Sequence, residues 1–566
     1  QKEALYAAIG RCSHRLKGVI NFDEWLSQIV VKEVSSTDPV NRVVKRRVAW
    51  VIARWYSDKD IPASGGTIWE VLRYLIQDQG EASDLVVRLT AAMALGECVD
   101  TLGFDANAFQ PHLPFVIESM VQLVSECETF ESRTRVIKSL SRVIDCVGSR
   151  IVPLIGPIQQ VLASLWQAAS ATDGGANIGS DGAVWLFKAN LLVLAKALVS
   201  ASREDSAGLV GIVVPLVRES LSPDSKLHLD EDAYQLWLAA LRNATVLPPP
   251  QPGAIGLSDL IPDVITCMDT SIDVIGTLLQ ILEAYILLDA NMVIQLHGLP
   301  LFTVLKKVLS STTTHNSGDV LNATNLLFQV TDASTWPGPM HASGYFWDML
   351  KAVIQDKANA SLLADHICVL SRMILPNPNV FVQLVTEGAA AHQAAESPLF
   401  EGLLDQWWNK FDVISEPRLR KLTGMAIAGL VSTGRHEIMD RLSSEILNMW
   451  MDIHGELNES KVAMEEWVQN GSIPEEEPLY LHWAKDAHIP PDSFMRESEG
   501  TLEEGRRKRV WDNDLIHKIK FTTFVAEKMQ QGTAACGGQE VLQAKYLKNA
   551  EPTLLQQLEV ALASGL

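Results

Sequence analysis

Residues 83–100 read SDLVVRLTAAMALGECVD. Leu85, Leu89, Ala92, Gly96 and Val99 recur at the 3.6-residue period of an α-helix, and Val86 and Met93 widen the stripe. Ser83 or Asp84 can close the N-terminus, because a side-chain oxygen accepts from backbone N–H groups that have no partner in the first turn. The same reading extends outward to about 38–57, 67–78, 110–127, 130–147, 151–169, 183–201, 207–221 and 229–243, and on through 273–453. No sustained apolar–polar alternation with hairpin turns is present, so few strands are expected.

The predicted helices come in pairs that recur at roughly 35–50 residues, the range of HEAT-type repeats. Several first helices open on proline, as in PHLPFVIESMVQLV (111–124), PLIGPIQQVLASLW (153–166) and VVPLVRESL (213–221). Proline is tolerated in a first turn because its missing N–H has no helical partner there. One pair cannot bury both its apolar faces, but stacked pairs can. The expected fold is all-α: a superhelical solenoid of stacked antiparallel HEAT-repeat helix pairs. It should occupy 1–454, followed by an acidic, partly disordered insert at 455–505 and C-terminal HEAT-like helices at 506–566. A Gly-rich loop is expected at 171–182 and a stiff Pro-rich connector at 247–257.

The totals narrow the partners. Of 566 residues, 47% are hydrophobic and 20% charged, enough to bury a large core. The formal net charge of −21 repels nucleic acid and anionic membranes and attracts basic partners. The seven cysteines are scattered with no CxxC pair, which fits reduced thiols rather than a disulfide framework or a zinc site. No apolar run looks long enough to span a bilayer. There is no signal peptide, and the start at Gln1 suggests a fragment of something longer.

Motifs for catalysis are missing. There is no HExxH, P-loop, GxSxG or dinucleotide fingerprint, and the 13 histidines lack metal-ligand spacing. No enzyme activity, cofactor or metal is expected. In KRRVAWVIARW (45–55), Val48, Val51, Ile52 and Trp55 share a helical face with Val44, and Lys45, Arg46 and Arg47 read as a solvated face or a contact with an acidic neighbour. The one dense basic tract, Arg506-Arg507-Lys508-Arg509, reads as pairing within the molecule; alternatives are a localisation signal or a nucleic-acid contact. Asp230, Glu231 and Asp232 read as opening a helix, where carboxylates favour the dipole. One of Trp407 and Trp408 must turn away from the core, since adjacent helical residues point about 100° apart.

Beyond its periodicity the chain resembles a family. The run R-R-x-x-W-x-I-x-x-W (Arg46, Arg47, Trp50, Ile52, Trp55) is similar to a repeat of nuclear transport receptors of the importin-β (karyopherin-β) family, importin-eleven type. QDQGEASDLVVRLTAAMAL (77–95), LDEDAYQLWLAALRN (229–243), FEGLLDQWWNKFDVISEPRLRKLTGMAIAGL (400–430) and RRKRVWDNDLIHKIKFTTFVAEKM (506–529) follow in the family's order. The resemblance implies the C-terminal half to two-thirds of a receptor, with the main site for the GTPase Ran in N-terminal repeats that are absent here. It further implies carriage of basic protein cargo, such as ribosomal proteins or ribosome-assembly factors, and release by Ran-GTP. Phe-Gly nucleoporins would meet the convex face, and the protein would shuttle between nucleus and cytoplasm as a monomer. In the family, second helices line the concave surface and acidic patches there bind cargo. The resemblance thus makes Glu97, Asp100, Asp145, Asp230, Glu231, Asp232, Glu283 and Asp289 candidate cargo contacts, and Glu475, Glu476 and Glu477 part of a regulatory insert. An exportin or bidirectional receptor, and a non-transport HEAT scaffold, are the alternative readings.

Overall fold

The computed structural model describes residues 1–16, 18–36, 38–56, 65–172, 181–311, 314–470 and 490–564. Glu475, Glu476 and Glu477 lie outside the described residues, as does the Gly-rich stretch 173–180. Among the described residues there are helices and turns and no strand. The fold is the all-α HEAT-repeat solenoid that the sequence pattern implies. The chain divides into two compact units, Gln1–Thr245 with Pro250–Leu257, and Val246–Pro249 with Ser258–Leu566, so the division falls at the Pro-rich run.

In the first unit the helices Lys2–Arg11, Arg42–Tyr56, Leu85–Val99, Phe130–Val147, Asp181–Ser202 and Lys226–Asn243 lie side by side, each packed on the next. Gly65–Ile76, Leu113–Glu126, Ile155–Thr172 and Val210–Ser220 form the other layer, each packed on the helix that follows it. Pro114 stands in a first turn as expected, whereas Pro215 falls in the interior of Val210–Ser220.

Leu85–Val99 begins where the sequence placed it, with Asp84 Oδ1 accepting from the Val86 and Val87 N–H groups at 3.0 Å. Its buried face corrects the reading of one stripe. Val87, Ala91, Ala94, Leu95 and Cys98 are buried together with Ala92, Gly96 and Val99, while Leu85 and Val86 are exposed and Leu89 and Met93 half-buried. The helix packs on Arg42–Tyr56, on Phe130–Val147 and on its own partner Gly65–Ile76. A helix covered on three sides is apolar nearly all round and shows no single stripe. Close stacking needs small residues. A Cβ at Gly96 would lie 2.9 Å from Ser139 Cα, Cβ and Oγ. Gly96→Val is expected to cost about 1–3 kcal/mol through overpacking, read as a lower urea midpoint; an unchanged midpoint would mean that the two helices can part freely.

Two helical stretches, Phe130–Ala171 and Gly182–Ser220, do reach the length and hydropathy of membrane spans, which corrects the expectation from sequence. Each is interrupted by a 3-10 turn, at Gly148–Leu154 and Arg203–Leu209, and supplies two layers of the stack.

The basic stretch at 45–47 is partly engaged. Arg46 is exposed, Arg47 Nε donates to Glu3 Oε1 at 2.7 Å, and the Arg47 guanidinium lies 4.8 Å from the Trp50 ring centroid. Both the solvated face and the acidic neighbour are present.

The second unit repeats the arrangement. Its run Ile275–Ser311 is two helices meeting at Asp289, whose backbone is extended. Thr314–Val330, Ala360–Ile374, Pro417–Val431 and Phe521–Ala535 continue one layer from the first of those helices. Trp237, Trp407 and Trp450 are core residues, and Trp408 is 39% exposed, as adjacent positions on one helix require.

Candidate protein-interaction surface

Four successive helices of the first unit bring carboxylates together. Asp100 follows the last turn of Leu85–Val99, Asp145 lies on Phe130–Val147, and Asp230, Glu231 and Asp232 lie on Lys226–Asn243. Lys196, on the intervening Asp181–Ser202, interacts with both Asp145 and Asp232. Arg142 approaches Asp100 at 3.7 Å, and Lys196 Nζ lies 3.5 Å from Gln235 Oε1. Partial burial raises the Asp145 carboxyl above the usual carboxylate range, Lys196 opposes this, and Asp100 adds to it. Asp232 is raised by burial and by Glu231, against Lys196. Carboxylates that repel one another gain most from an added cation.

Asp230–Asp232 do not open their helix. It starts at Lys226, so they fall in the second turn, beyond the reach of the N-terminal dipole. Glu97 is half-buried beside Cys98.

The two candidates in the second unit have structural partners. Asp289 accepts from the Met292 N–H at 2.9 Å and caps a helix. Glu283 is 2% exposed and accepts from Arg507 Nη2 at 2.9 Å and Arg496 Nη2 at 3.3 Å. It is therefore not a surface carboxylate, which corrects its reading as an open cargo contact.

These arginines belong to a segment, 490–519, that crosses the second helices of the second unit. Arg496 Nη2 also donates to Asp319 Oδ1 at 2.9 Å. Arg507 Nε donates to Glu503 Oε1 at 2.6 Å and its Nη1 to the Phe494 carbonyl at 2.7 Å. Further along, Arg372 Nη1 and Nη2 grip the Asp514 carboxylate at 2.6 and 2.5 Å, and Gln329 Nε2 joins it at 3.1 Å. Lys421 Nζ donates to the Ile516 and Ile519 carbonyls at 2.6 and 2.7 Å. Burial lowers the Lys421 ammonium to about 8, against the nearby Asp514. The Arg418 guanidinium lies 3.8 Å from the Trp511 ring centroid. The basic tract thus pairs inside the molecule: Arg507 with Glu283 and Glu503, Lys508 with Glu504 at 2.6 Å. Its tetrad was visible in the sequence; Asp319, Arg372 and Lys421 carried no such signal, because their partners lie 95 or more residues away.

The comparisons with known proteins agree on the family. The model described as importin-11-like, TPR repeats, matches residues 189–563, well over half the chain. The chain belongs to the importin-11-like family. Among importin-11-like relatives, human importin-11 is 23% identical over 542 residues, covering 95% of this chain and 52% of its own length. The importin beta-like protein KAP120 of Saccharomyces cerevisiae is 23% identical over 601 residues, covering 100% of this chain and 55% of its own. The chain therefore spans about half the length of the curated relatives it matches. Among solved structures, that of Lph2, a bidirectional nuclear transport receptor in S. cerevisiae, matches with a TM-score of 0.79 and 21% identity over 100% of this chain and 56% of that one. This likeness carries the fold of the importin-11-like chain over its whole length.

Proposed function

We propose that the chain is the cargo-carrying portion of a nuclear import receptor. It binds basic protein cargo, such as ribosomal proteins or ribosome-assembly factors, on the second-helix face of the first unit. The observation that carries this reading is the carboxylate cluster of Asp100, Asp145, Asp230, Glu231 and Asp232 around Lys196, in a chain of importin-11-like family. Recognition is non-covalent, with no catalytic step and no cofactor. Ran-GTP, bound by the complete receptor, releases the cargo: two ligands that prefer different states of one protein weaken each other reciprocally. Phe-Gly nucleoporins engage the other helix layer, and the receptor shuttles as a monomer between nucleus and cytoplasm.

The test is binding of a basic ribosome-assembly factor to the full-length receptor with and without GTP-locked Ran. Displacement by Ran supports import. Strengthening by Ran supports the export reading; the structurally similar Lph2 is a bidirectional nuclear transport receptor. No effect of Ran favours the HEAT scaffold. Asp145→Asn with Asp232→Asn is expected to lower cargo affinity about tenfold, roughly 1.4 kcal/mol, and to flatten its salt dependence. Affinity should also fall on acidification sooner than ordinary carboxylates would dictate, because both groups take up protons at higher pH. Unchanged affinity in the double variant would remove this cluster from the cargo site.

A further inference from the structure

Among the described side chains from Pro490 to Val510, Pro490 is the only buried apolar one; the other buried groups are Ser498, Glu503, Arg506 and Arg507. Residues 491–510 therefore carry no fully buried apolar side chain, and Phe494 is half-buried with its ring 5.3 Å from that of Trp511. Arg496 and Arg507 grip Glu283 and Asp319, and the Val510 carbonyl accepts from Gln329 Nε2 at 3.3 Å. The next residues are held differently: Trp511 and Ile516 are buried, and Arg372 and Lys421 clamp 514–519. The boundary between a firmly packed and a polar-docked stretch falls at Trp511.

We propose that Glu283 and Asp319 form a binding site for an arginine-bearing segment of a partner protein, and that residues 491–510 are its resident, displaceable occupant. The chemistry of the ligand is read from the occupant: two guanidinium groups, one shared by both carboxylates and one donating to the second oxygen of Glu283. The same groove is lined by Asn322, Asn325 and Leu326, and the buried Asn325 Oδ1 has no hydrogen-bond partner, leaving a further acceptor there. Arg496 and Glu497 both stand at positive φ, +51° and +56°, a conformation that L-residues adopt under constraint. Release of the segment relaxes that backbone. An incoming arginine replaces a resident one on the same carboxylate, so Glu283 is never left buried and unpaired, the state that makes breaking such a pair costly. The resident has the advantage of being tethered, which gives it a high effective concentration. A partner wins when it brings two arginines or binds a second surface as well. The site at Glu283 and Asp319 rests on the cargo reading only for the identity of the partner.

The probe is a labelled synthetic peptide of residues 491–512. Arg496→Gln with Arg507→Gln empties the site, and this variant is expected to bind the peptide at least tenfold more tightly than the native chain. Adding Glu283→Gln and Asp319→Asn should return binding to the native level. Hydrogen exchange on the native chain gives a second measurement that needs no variant: 491–510 should exchange through local opening, well ahead of Pro417–Val431. Exchange of 491–510 only with global unfolding, equal peptide binding by native and emptied chains, or binding that survives loss of the carboxylates would each overturn the proposal. Failure of basic cargo to bind the receptor would leave these peptide results untouched, so the two readings fail separately.

Discussion

Arg372→Leu is expected to cost about 3–5 kcal/mol of stability in the second unit, because it leaves Asp514 buried without its cation. Both side chains are nearly inaccessible, 6% and 4% exposed, and the guanidinium meets both carboxylate oxygens. Gln329 and the Ile516 N–H still reach Asp514 in the variant, but neither brings charge. Replacing both partners, Arg372→Leu with Asp514→Leu, should recover most of the loss, since desolvating an ion pair consumes much of what its attraction returns. The pair also gives stability a pH dependence of definite sign. Burial alone would raise the Asp514 carboxyl, but the Arg372 charge and hydrogen bonds outweigh it and hold it below the usual carboxylate range. With the folded value depressed, the contribution is complete above the unfolded carboxylate value and is lost as pH falls through the folded one. His517, held below the usual histidine range by burial with Arg418 and Lys421 adding to it, is disfavoured as a cation in the fold, so acidification erodes stability there too. Urea unfolding across an acid series checks both: the native chain should lose stability on acidification, and the double leucine variant should lose less. An equal loss in both would assign the acid response elsewhere.

Trp450→Ala is expected to cost about 3–5 kcal/mol, the range for removing a fully buried large aromatic ring. Trp450 is 1% exposed, and its Nε1–H donates to the Gly424 carbonyl at 3.0 Å, tying helix Leu447–Asn470 to Pro417–Val431. The contact is close because position 424 has no side chain: a Cβ there would lie 2.3 Å from Ile453 Cδ1 and 3.1 Å from Phe521 Cε2. Three helices meet at this glycine, so a cavity beside it cannot be filled by a small rotation. Trp450→Phe keeps most of the ring and loses the donor, and should cost about 1 kcal/mol. Urea midpoints for the two variants separate the terms. Similar losses would mean that the hydrogen bond, not the packing, carries the residue's effect.

Much of the repeat architecture was legible in residues 83–100 and their counterparts, because capping and periodicity act within one helix. Of the two capping candidates, Ser83 and Asp84, it is Asp84 that caps, and Val44, Val48, Val51, Ile52 and Trp55 are buried together. The face of Leu85–Val99 was not legible, since the number of sides covered is a property of the stack. The candidate carboxylates divide in the same way. The family resemblance singled out eight acidic residues on helices; which of them share a surface depended on neighbours from other repeats. Asp145 and Asp232 both feel the charge of Lys196, whereas Glu283 is paired with Arg507 and Asp289 caps a helix.

By itself the sequence determined the helical class, the repeat and the acidic balance, which are written in local spacing and composition, and its ordered motifs resembled the family. Only the tertiary structure decided that Arg507 would meet Glu283 across 224 residues of chain and that Arg372 would meet Asp514 across 142. Local rules govern groups a few residues apart, where the backbone sets the geometry. A buried ion pair needs two distant segments placed to within hydrogen-bonding distance, and only the packed whole sets that placement.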